Sequence, residues 1–263
     1  MTNVNHTFVV AAYKESQFLE ESIKSLLNQS VKSRICIATG TPNNFIQSIA
    51  NKYNLPLLIN KNEDAHTISG DFSFALQCAE TDYVTIAHQD DIYEPDYTEE
   101  ILKRAQGHDP IIIFSEYYEL RNGQKVYKNK LLKVKETMNI GFRMFPKSKF
   151  IRKRVLAFGC PICCPAVTYP RRIYKNFKFS NSVVETVDWE AWLRLSELDG
   201  EFMCIHKPLM GHRVHEGSTT TQTIADNSRY NEELRIFKQL WPDWFARWLA
   251  KRYNKACDSN DLK

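Results

Sequence analysis

The amino-acid sequence predicts a Rossmann-like α/β fold in which helices flank a mainly parallel sheet. In the first half of the chain, short apolar runs alternate about four times with segments of helical periodicity, which is the pattern of strand–helix–strand units. Hydrophobic residues make up 43% of the chain and charged residues 25%, as expected of a globular protein that buries a full core.

Four short runs, rich in β-branched or aromatic residues and bounded by polar ones, are the candidate strands of this sheet. Their continuous apolar character indicates strands that are buried on both faces. The runs are 7–12, 34–39, 57–60 and 83–87. A later run at 111–115 predicts another strand, and Asn122-Gly123 after it is a hairpin signal.

Helices are predicted where apolar residues recur at helical spacing. The first begins after Ser16 as a plausible cap, the second opens at Pro42, and the third covers roughly 70–79. Another begins at Thr186, and a last helical segment starts near Asn227 and is interrupted at a proline. We therefore predict one α/β domain over residues 1–225 and a helical extension over 226–263.

The charge balance and the cysteines exclude several classes of protein. Lys and Arg number 35 against 31 Asp and Glu, a net charge of +4 that does not indicate nucleic-acid binding but permits attraction to phosphates or an anionic membrane. No signal peptide or membrane-crossing run is present, so we expect a cytoplasmic protein. Seven cysteines without an export signal should be reduced and mostly buried, and Cys160, Cys163 and Cys164 lack a fourth ligand at zinc-site spacing.

The strongest chemical signal is the pair Asp90-Asp91, which follows the strand predicted at 83–87. Ligands of open α/β sheets bind at the carboxyl ends of the strands. Two adjacent carboxylates repel each other unless a cation or hydrogen-bond donors compensate, and a hard divalent ion shared with substrate phosphates fits them. The alternative is that both residues cap the following turn and face solvent.

Two later segments carry further candidates. Asp188 begins an aromatic-rich helix, where it would serve as a general base or complement the helix dipole. Arg213 and His215 lie among small residues, which suits a loop that covers a phosphate. Arg can bind phosphate through two hydrogen bonds, and neutral His can ligate a metal ion. A packing role for His215 is the alternative.

In their order along the chain, these segments resemble the family 2 inverting glycosyltransferases of the GT-A fold, of the bacterial surface-polysaccharide type. The similarity runs from Phe8 to about Thr220 and includes the family's first strand and helix at 8–30. The resemblance implies that the turn Ala12–Glu15 holds the base and ribose of a nucleotide sugar. The implied nucleotide-sugar-binding residues are Ala12, Tyr13, Glu15, Thr39, Thr41, Gln89, Asp90 and Arg213.

The resemblance also assigns the metal and the base. Asp90 stands where the final Asp of the family's Asp-X-Asp element meets a divalent ion, Mn²⁺ or Mg²⁺, with Asp91 in support. His215 is implied as a further metal ligand, from the family's Arg-X-His-X-X-Ser loop. Asp188 stands at the position of the catalytic base, which takes the proton of the acceptor hydroxyl while the donor's anomeric carbon inverts.

Three departures from the family pattern affect these assignments. His88 replaces the first Asp of the metal element, and Val187 replaces the Glu before the base. The segment 38–43 replaces the usual acidic loop after the second strand, so hydroxyls of Thr39 or Thr41 would have to read the nucleotide base. A UDP-sugar is favoured as the donor.

The implied activity is transfer of a sugar to a hydroxyl of a glycan or glycolipid acceptor in cell-surface polysaccharide biosynthesis. The alternative is a catalytically silent nucleotide-sugar-binding module, and a nucleotidyltransferase is excluded because 11–15 is not a glycine-rich phosphate loop. The basic stretch 125–154, without a long periodic run, is expected to be an insertion or flap on the acceptor side. Aromatic and basic residues alternate from Trp241 to Arg252, which suits either peripheral contact with the inner face of the plasma membrane or packing on the domain.

Overall fold

A computed structural model describes residues 4–215 and 228–258. Within these ranges the chain forms nine strands, ten α-helices and a short 3₁₀ turn at Cys164–Ala166. The strands are β1 (His6–Ala11), β2 (Arg34–Thr39), β3 (Leu57–Ile59), β4 (Tyr83–His88), β5 (Ile92–Tyr93), β6 (Pro110–Arg121), β7 (Gln124–Val126), β8 (Val167–Pro170) and β9 (Glu201–Val214). The helices are α1 (Leu19–Leu27), α2 (Asn44–Lys52), α3 (Ile68–Gln77), α4 (Tyr97–Ala105), α5 (Lys130–Met144), α6 (Lys149–Leu156), α7 (Arg171–Tyr174), α8 (Val187–Leu195), α9 (Ser228–Leu240) and α10 (Asp243–Asp258).

The described strands form one mixed sheet in the order β3-β2-β1-β4-β8-β6-β9-β5, with β7 paired to β6. The first four strands in this order are parallel to one another, and β6 and β9 are also parallel. Antiparallel β8 joins the two groups. The predicted fold class is confirmed, and the four candidate strands of the first half are all present.

The core lies on both faces of the sheet because successive side chains of a strand point to opposite sides. Phe8 and Val10 of β1 pack in one apolar cluster, whereas Val9 packs in the other. Helix α1 covers the first cluster with buried Leu19, Ile23 and Leu26. Strands of this kind are shielded from water on both sides, which explains their continuous apolar sequence.

Most of the stretch 125–154, which lacks a long apolar period in the sequence, folds as the two helices α5 and α6. The side chain of Asn129 caps α5 by accepting a hydrogen bond from Leu132 N at 2.8 Å, and Phe142 and Leu156 are fully buried. The inward face of α5 also carries a polar residue, Asn139, so its apolar residues are too few to give a clear period.

The C-terminal helices pack on the domain, and the predicted interruption at Pro242 falls between α9 and α10. Their inward residues, Phe237, Ala246 and Leu249, join the same apolar cluster as Trp189 and Trp192 of α8. No helix in the described ranges combines the length and apolarity that a bilayer crossing requires.

Candidate active site

Three parallel strands end side by side at one edge of the sheet. In the strand register, Ala11 at the end of β1 pairs with Ala38 of β2 on one side and with His88 of β4 on the other. The turns after these strands therefore meet, and they carry most of the residues that the sequence marked as a site. The carboxyl edge of a parallel sheet is where such folds bind ligands.

The turn after β1 is fixed by its neighbours. The Gln89 side chain accepts a hydrogen bond from Tyr13 N and donates one to Tyr13 O, both at 3.0 Å. Lys14 adopts φ +52°, a conformation that few residues other than glycine accept, and its N–H donates to Thr41 Oγ1 at 2.7 Å. The backbone is thereby locked, while the Tyr13 ring is exposed at the surface and Ala12 is buried.

The loop after β2 uses its hydroxyls to hold its own shape. Thr39 is buried, and its Oγ1 accepts a hydrogen bond from Thr41 N at 3.0 Å. Thr41 Oγ1 in turn receives the Lys14 amide. Both hydroxyls that were expected to read a nucleotide base are therefore engaged as acceptors inside the loop, and Glu15 lies exposed beside it.

An acidic side chain nevertheless reaches this loop from α3. The Asp71 carboxylate lies over Gly40, so that a Cβ at position 40 would come within 2.5 Å of Asp71 Oδ1. Asn60 Nδ2 donates to the same oxygen at 2.8 Å and orients it. From the sequence, only a helix was predicted over this region, and the one local hint was a glycine directly after a strand.

Asp91 is completely buried, and β9 provides its hydrogen-bond partners among the described residues. Arg213 N donates to its Oδ1 at 2.8 Å, and His212 Nδ1 lies 3.2 Å from the same oxygen. His88 Nδ1 approaches Oδ2 at 3.9 Å. Burial lowers the pKa of His212, but the neighbouring Asp91 carboxylate outweighs burial and raises it above the ordinary value.

Asp90 faces a different set of partners. Its Oδ2 lies 2.9 Å from His215 Nε2, and its carbonyl oxygen accepts a hydrogen bond from Arg213 Nε at 2.8 Å. Burial tends to raise the pKa of Asp90, but the hydrogen bond from His215 and the charges that His88 and His212 can carry bring it below its ordinary value. The carboxylate is therefore kept ionised.

Arg213 is almost fully engaged by the protein itself. Its guanidinium donates to Glu21 Oε2 at 2.6 Å and stacks over the Phe18 ring at 4.3 Å. Only 8% of the residue is exposed. In this arrangement Arg213 ties α1, β9 and the Asp90 turn together.

The residues after β4 fit a divalent cation. Ligand atoms of His88, Asp90 and Asp91 all lie within 4.8 Å of one another, and His88 Nε2 is buried with no hydrogen-bond partner in the described part of the chain. Mixed carboxylate and imidazole ligands suit a transition ion such as Mn²⁺ better than Mg²⁺, which prefers oxygen. The sequence predicted the two carboxylates and treated His88 only as a departure.

Asp188 lies in the first turn of α8 and is half-buried. Its Oδ1 accepts a hydrogen bond from Trp189 N at 2.8 Å, and the Cys160 thiol lies 3.9 Å from Oδ2. Trp189 anchors the helix by donating its indole N–H to Leu156 O at 3.0 Å. Val187 is buried in the core, which accounts for an apolar residue before the acid.

The segment 160–164 links the acidic groups. The thiols of Cys163 and Cys164 interact electrostatically with both Asp91 and Asp188, so the segment lies near both carboxylates. Burial raises the pKa of Cys160 and of Cys164 well above the ordinary value, with Asp188 adding to the effect. These free thiols stay protonated.

The sequence model of glycosyl transferase family 2 matches residues 7–176, which is more than half of the chain. An uncharacterized glycosyltransferase of Methanocaldococcus jannaschii is 26% identical over 233 residues, covering 85% of this chain and 75% of the relative. The matched residues include the turns after β1, β2 and β4.

Solved structures of the same fold cover nearly the whole chain. The S. aureus TarS fragment 1-349 in complex with UDP-GlcNAc superposes with a TM-score of 0.65 at 13% identity, over 94% of this chain and 70% of that one. Mannosyltransferase PcManGT from Pyrobaculum calidifontis, in complex with GDP-Man and Mn²⁺, has a TM-score of 0.63 at 13% identity, over 100% of this chain and 77% of that one.

Proposed function

Because this chain belongs to glycosyl transferase family 2, we propose that it moves a sugar from a nucleotide diphosphate to a hydroxyl of a glycan or glycolipid acceptor, with inversion at the anomeric carbon. The observation that carries the proposal is the pairing of a cation cluster, His88 with Asp90 and Asp91, with a separate half-buried carboxylate, Asp188. The thiols of Cys163 and Cys164 interact electrostatically with both Asp91 of the cluster and Asp188. The bacterial surface-polysaccharide role is part of the same proposal.

In this mechanism Asp188 accepts the proton of the acceptor hydroxyl as that oxygen attacks the anomeric carbon. A single in-line displacement leaves the new bond on the face opposite the departing diphosphate. A divalent ion held by His88, Asp90 and Asp91 would supply positive charge to the leaving group. His212 and the Arg213 amide hold Asp91 in place, and His215 and His212 help to keep Asp90 ionised.

The nucleotide end of the donor is proposed to bind between the Tyr13 turn and the loop after β2. Asp71 supplies there the acidic group that the loop itself lacks. A carboxylate accepts a hydrogen bond from the imide N–H of uracil, so a UDP-sugar is the favoured donor. The TarS structure is a complex with UDP-GlcNAc and the PcManGT structure is a complex with GDP-Man. These structural neighbours therefore differ in the nucleotide of the bound sugar donor.

Asp71→Ala is expected to weaken UDP binding roughly 10–100-fold, the effect of losing one charge-assisted hydrogen bond. Isothermal calorimetry with UDP, GDP and dTDP measures both the affinity and the preference among bases. Exposed Glu63→Ala, from the loop before the same helix, is the control and should leave both unchanged. An unaltered preference for UDP in Asp71→Ala would show that the carboxylate does not read the base.

The acceptor is proposed to reach the site from a membrane surface. Trp244 and Trp248 of α10 are 74% and 49% exposed, and Phe150 of α6 is 65% exposed. The two Trp rings pack with Phe245, which also contacts Trp241, and the four rings form one patch. The guanidinium of Arg154 stacks on both Phe150 and Trp241, and that of Arg252 stacks on Trp248.

Aromatic rings bordered by Arg match the interface of an anionic bilayer, where rings enter the headgroup layer and guanidinium groups meet phosphates. The same helix reaches the active site at its other end. The Tyr253 ring packs on Trp189 at 5.4 Å, and its hydroxyl oxygen accepts a hydrogen bond from Cys160 N at 3.3 Å. A carrier lipid bound at the patch would therefore be separated from the Asp188 region by less than the length of α10.

Replacing Trp244 and Trp248 together by Ala is expected to lower the fraction bound to phosphatidylglycerol-containing vesicles at least about tenfold, because two large apolar side chains leave the interface. Co-sedimentation gives the bound fraction, with pure phosphatidylcholine vesicles as the neutral comparison. Tyr127→Ala, an exposed ring on a different surface, is the control. If the double variant instead dissociates a dimer on a sizing column, the patch binds a second copy and not lipid.

A catalytically silent nucleotide-sugar-binding module is the second candidate, favoured by His88 and Val187 at positions that are acidic in the family. One experiment separates the two: binding and hydrolysis of UDP-, GDP- and dTDP-sugars with Mn²⁺, with Mg²⁺ and with chelator. Metal-dependent binding followed by turnover supports the transferase. Binding without turnover, even with acceptors supplied, supports the silent module, and no binding contradicts both.

A further inference from the structure

Lys135 of α5 projects toward the active site and is half-buried. Its ammonium donates to Tyr117 OH at 3.0 Å and lies 5.2 Å from the centroid of the same ring. Tyr117 is itself buried, and its ring meets the His212 ring edge-on at 6.1 Å between centroids. His212 in turn holds Asp91, so Lys135 stands two side chains away from the cation cluster.

The other groups around Lys135 belong to the opposite side of the site. Cys163 and Tyr253 interact with it electrostatically, and so does Cys160, the neighbour of Asp188. Lys135 therefore interacts with the Tyr117 and His212 side of the cation cluster and also with the Cys160 thiol beside the proposed catalytic base.

The Tyr117 phenol and the Cys160 and Cys163 thiols are uncharged at neutral pH, since the pKa of each is raised. Burial raises the pKa of the Tyr117 phenol to about 12, and it likewise raises that of the Cys163 thiol. Burial opposes the charge on Lys135, but its facing phenols and thiol would each become negative on ionisation, so its pKa lies above the ordinary value. The ammonium is charged while its surroundings are neutral.

This charge is not compensated within the described chain. Across 4–215 and 228–255, no carboxylate oxygen lies within 4.0 Å of the Lys135 ammonium. Lys133, two residues earlier in α5, is by contrast exposed to solvent. A lysine withdrawn from water without an acidic partner costs folding free energy unless an anion satisfies it.

We propose that Lys135 is an anion-binding residue of the active site and contacts a phosphate oxygen of a substrate. The inference rests on the proposed function, because that reaction brings phosphate into this space. Two sources present the same chemistry: the diphosphate of the donor, and a phosphate carried by the acceptor. The ammonium supplies one strong donor to either.

The test uses the full-length protein with Mn²⁺ and three variants. Lys135→Met removes the charge at similar volume, Lys135→Arg keeps it, and Lys133→Met is the matched control on the exposed face of the same helix. In the first arm, calorimetry compares UDP with uridine, which differ in the diphosphate. In the second, inorganic phosphate is titrated into protein already saturated with UDP and Mn²⁺, so that only a separate phosphate site responds.

Lys135→Met is expected to weaken one phosphate-bearing ligand roughly 10–100-fold and to leave uridine unchanged, while Lys135→Arg retains most of the affinity. A loss confined to UDP identifies the donor diphosphate, and a loss confined to inorganic phosphate identifies an acceptor phosphate. Unchanged affinity in both arms overturns the inference. Wild-type protein that binds no UDP would instead contradict the proposed function.

Thermal unfolding separates binding from a structural role. An uncompensated charge destabilises the fold, so Lys135→Met without ligand should have a Tm equal to or above that of the wild type. A lowered Tm together with weakened binding of every ligand, uridine included, would show that Lys135 supports the fold and would also overturn the proposal.

Discussion

Asp188→Asn is expected to lower kcat by about 10²–10⁴, the usual contribution of a general base. The amide keeps the size of the carboxylate and its hydrogen bond from Trp189 N, so α8 and the pocket should be undisturbed. It does not take up a proton at working pH. Donor affinity, measured by calorimetry with the nucleotide sugar, should therefore match that of the wild type.

The matched control is Glu190→Gln, two residues further along α8. Glu190 forms an i,i+4 ion pair with Arg194 and has no contact with the Cys160 thiol. Its loss should change kcat by less than about threefold, since such pairs contribute only a few tenths of a kcal/mol. Comparable rates in Asp188→Asn and Glu190→Gln would remove Asp188 from the role of catalytic base.

Asp90→Ala is expected to abolish Mn²⁺-dependent donor binding and to reduce turnover by more than about 10³-fold, because it removes both a cation ligand and the partner of His215. Calorimetry with Mn²⁺ alone, and then with the donor, reports the two losses separately. In the wild type, chelator should reproduce the donor-binding defect. In the variant, chelator should have no further effect.

Asp96→Ala provides the comparison for the loss of an acidic group near the same turn. Asp96 pairs with Lys207 at the start of α4 and takes no part in the cation cluster. Metal-dependent binding should survive this change. If Asp90→Ala keeps the metal response of the wild type, the convergence of His88, Asp90 and Asp91 does not mark a cation site.

The parts of the fold that were predictable are those encoded by neighbours in the chain. β1, β2 and β4 follow from short apolar runs, and the break at Pro242 follows from the lost N–H of proline. Helix α5 was missed because its buried face includes Asn139, so the apolar period is incomplete. Its cap at Asn129 is a single residue, and a cap alone does not predict a helix.

The candidate site also divides into residues that could be predicted from their sequence neighbours and residues that could not. Asp90 and Asp91 were readable because they are adjacent in sequence and directly follow a predicted strand of the sheet. Asp71 and Lys135 could not be recognised as site residues from the sequence. Their roles depend on contacts with residues that are distant in sequence, Gly40 for Asp71 and Tyr117 for Lys135. In the sequence, His88 stands where the family has a carboxylate. In the structure, its imidazole lies close to the carboxylates of Asp90 and Asp91 and can bind the same cation.

The hydrogen bonds between Gln89 and the Tyr13 backbone join the turn proposed for the nucleotide to the turn that carries Asp90. The two turns are mechanically one element, so a ligand that restricts the motion of one also restricts the other. A second ligand then finds part of its conformational entropy already lost, which is positive cooperativity without a change of shape. Linkage makes the effect reciprocal: the factor by which the cation tightens nucleotide binding equals the factor by which the nucleotide tightens binding of the cation.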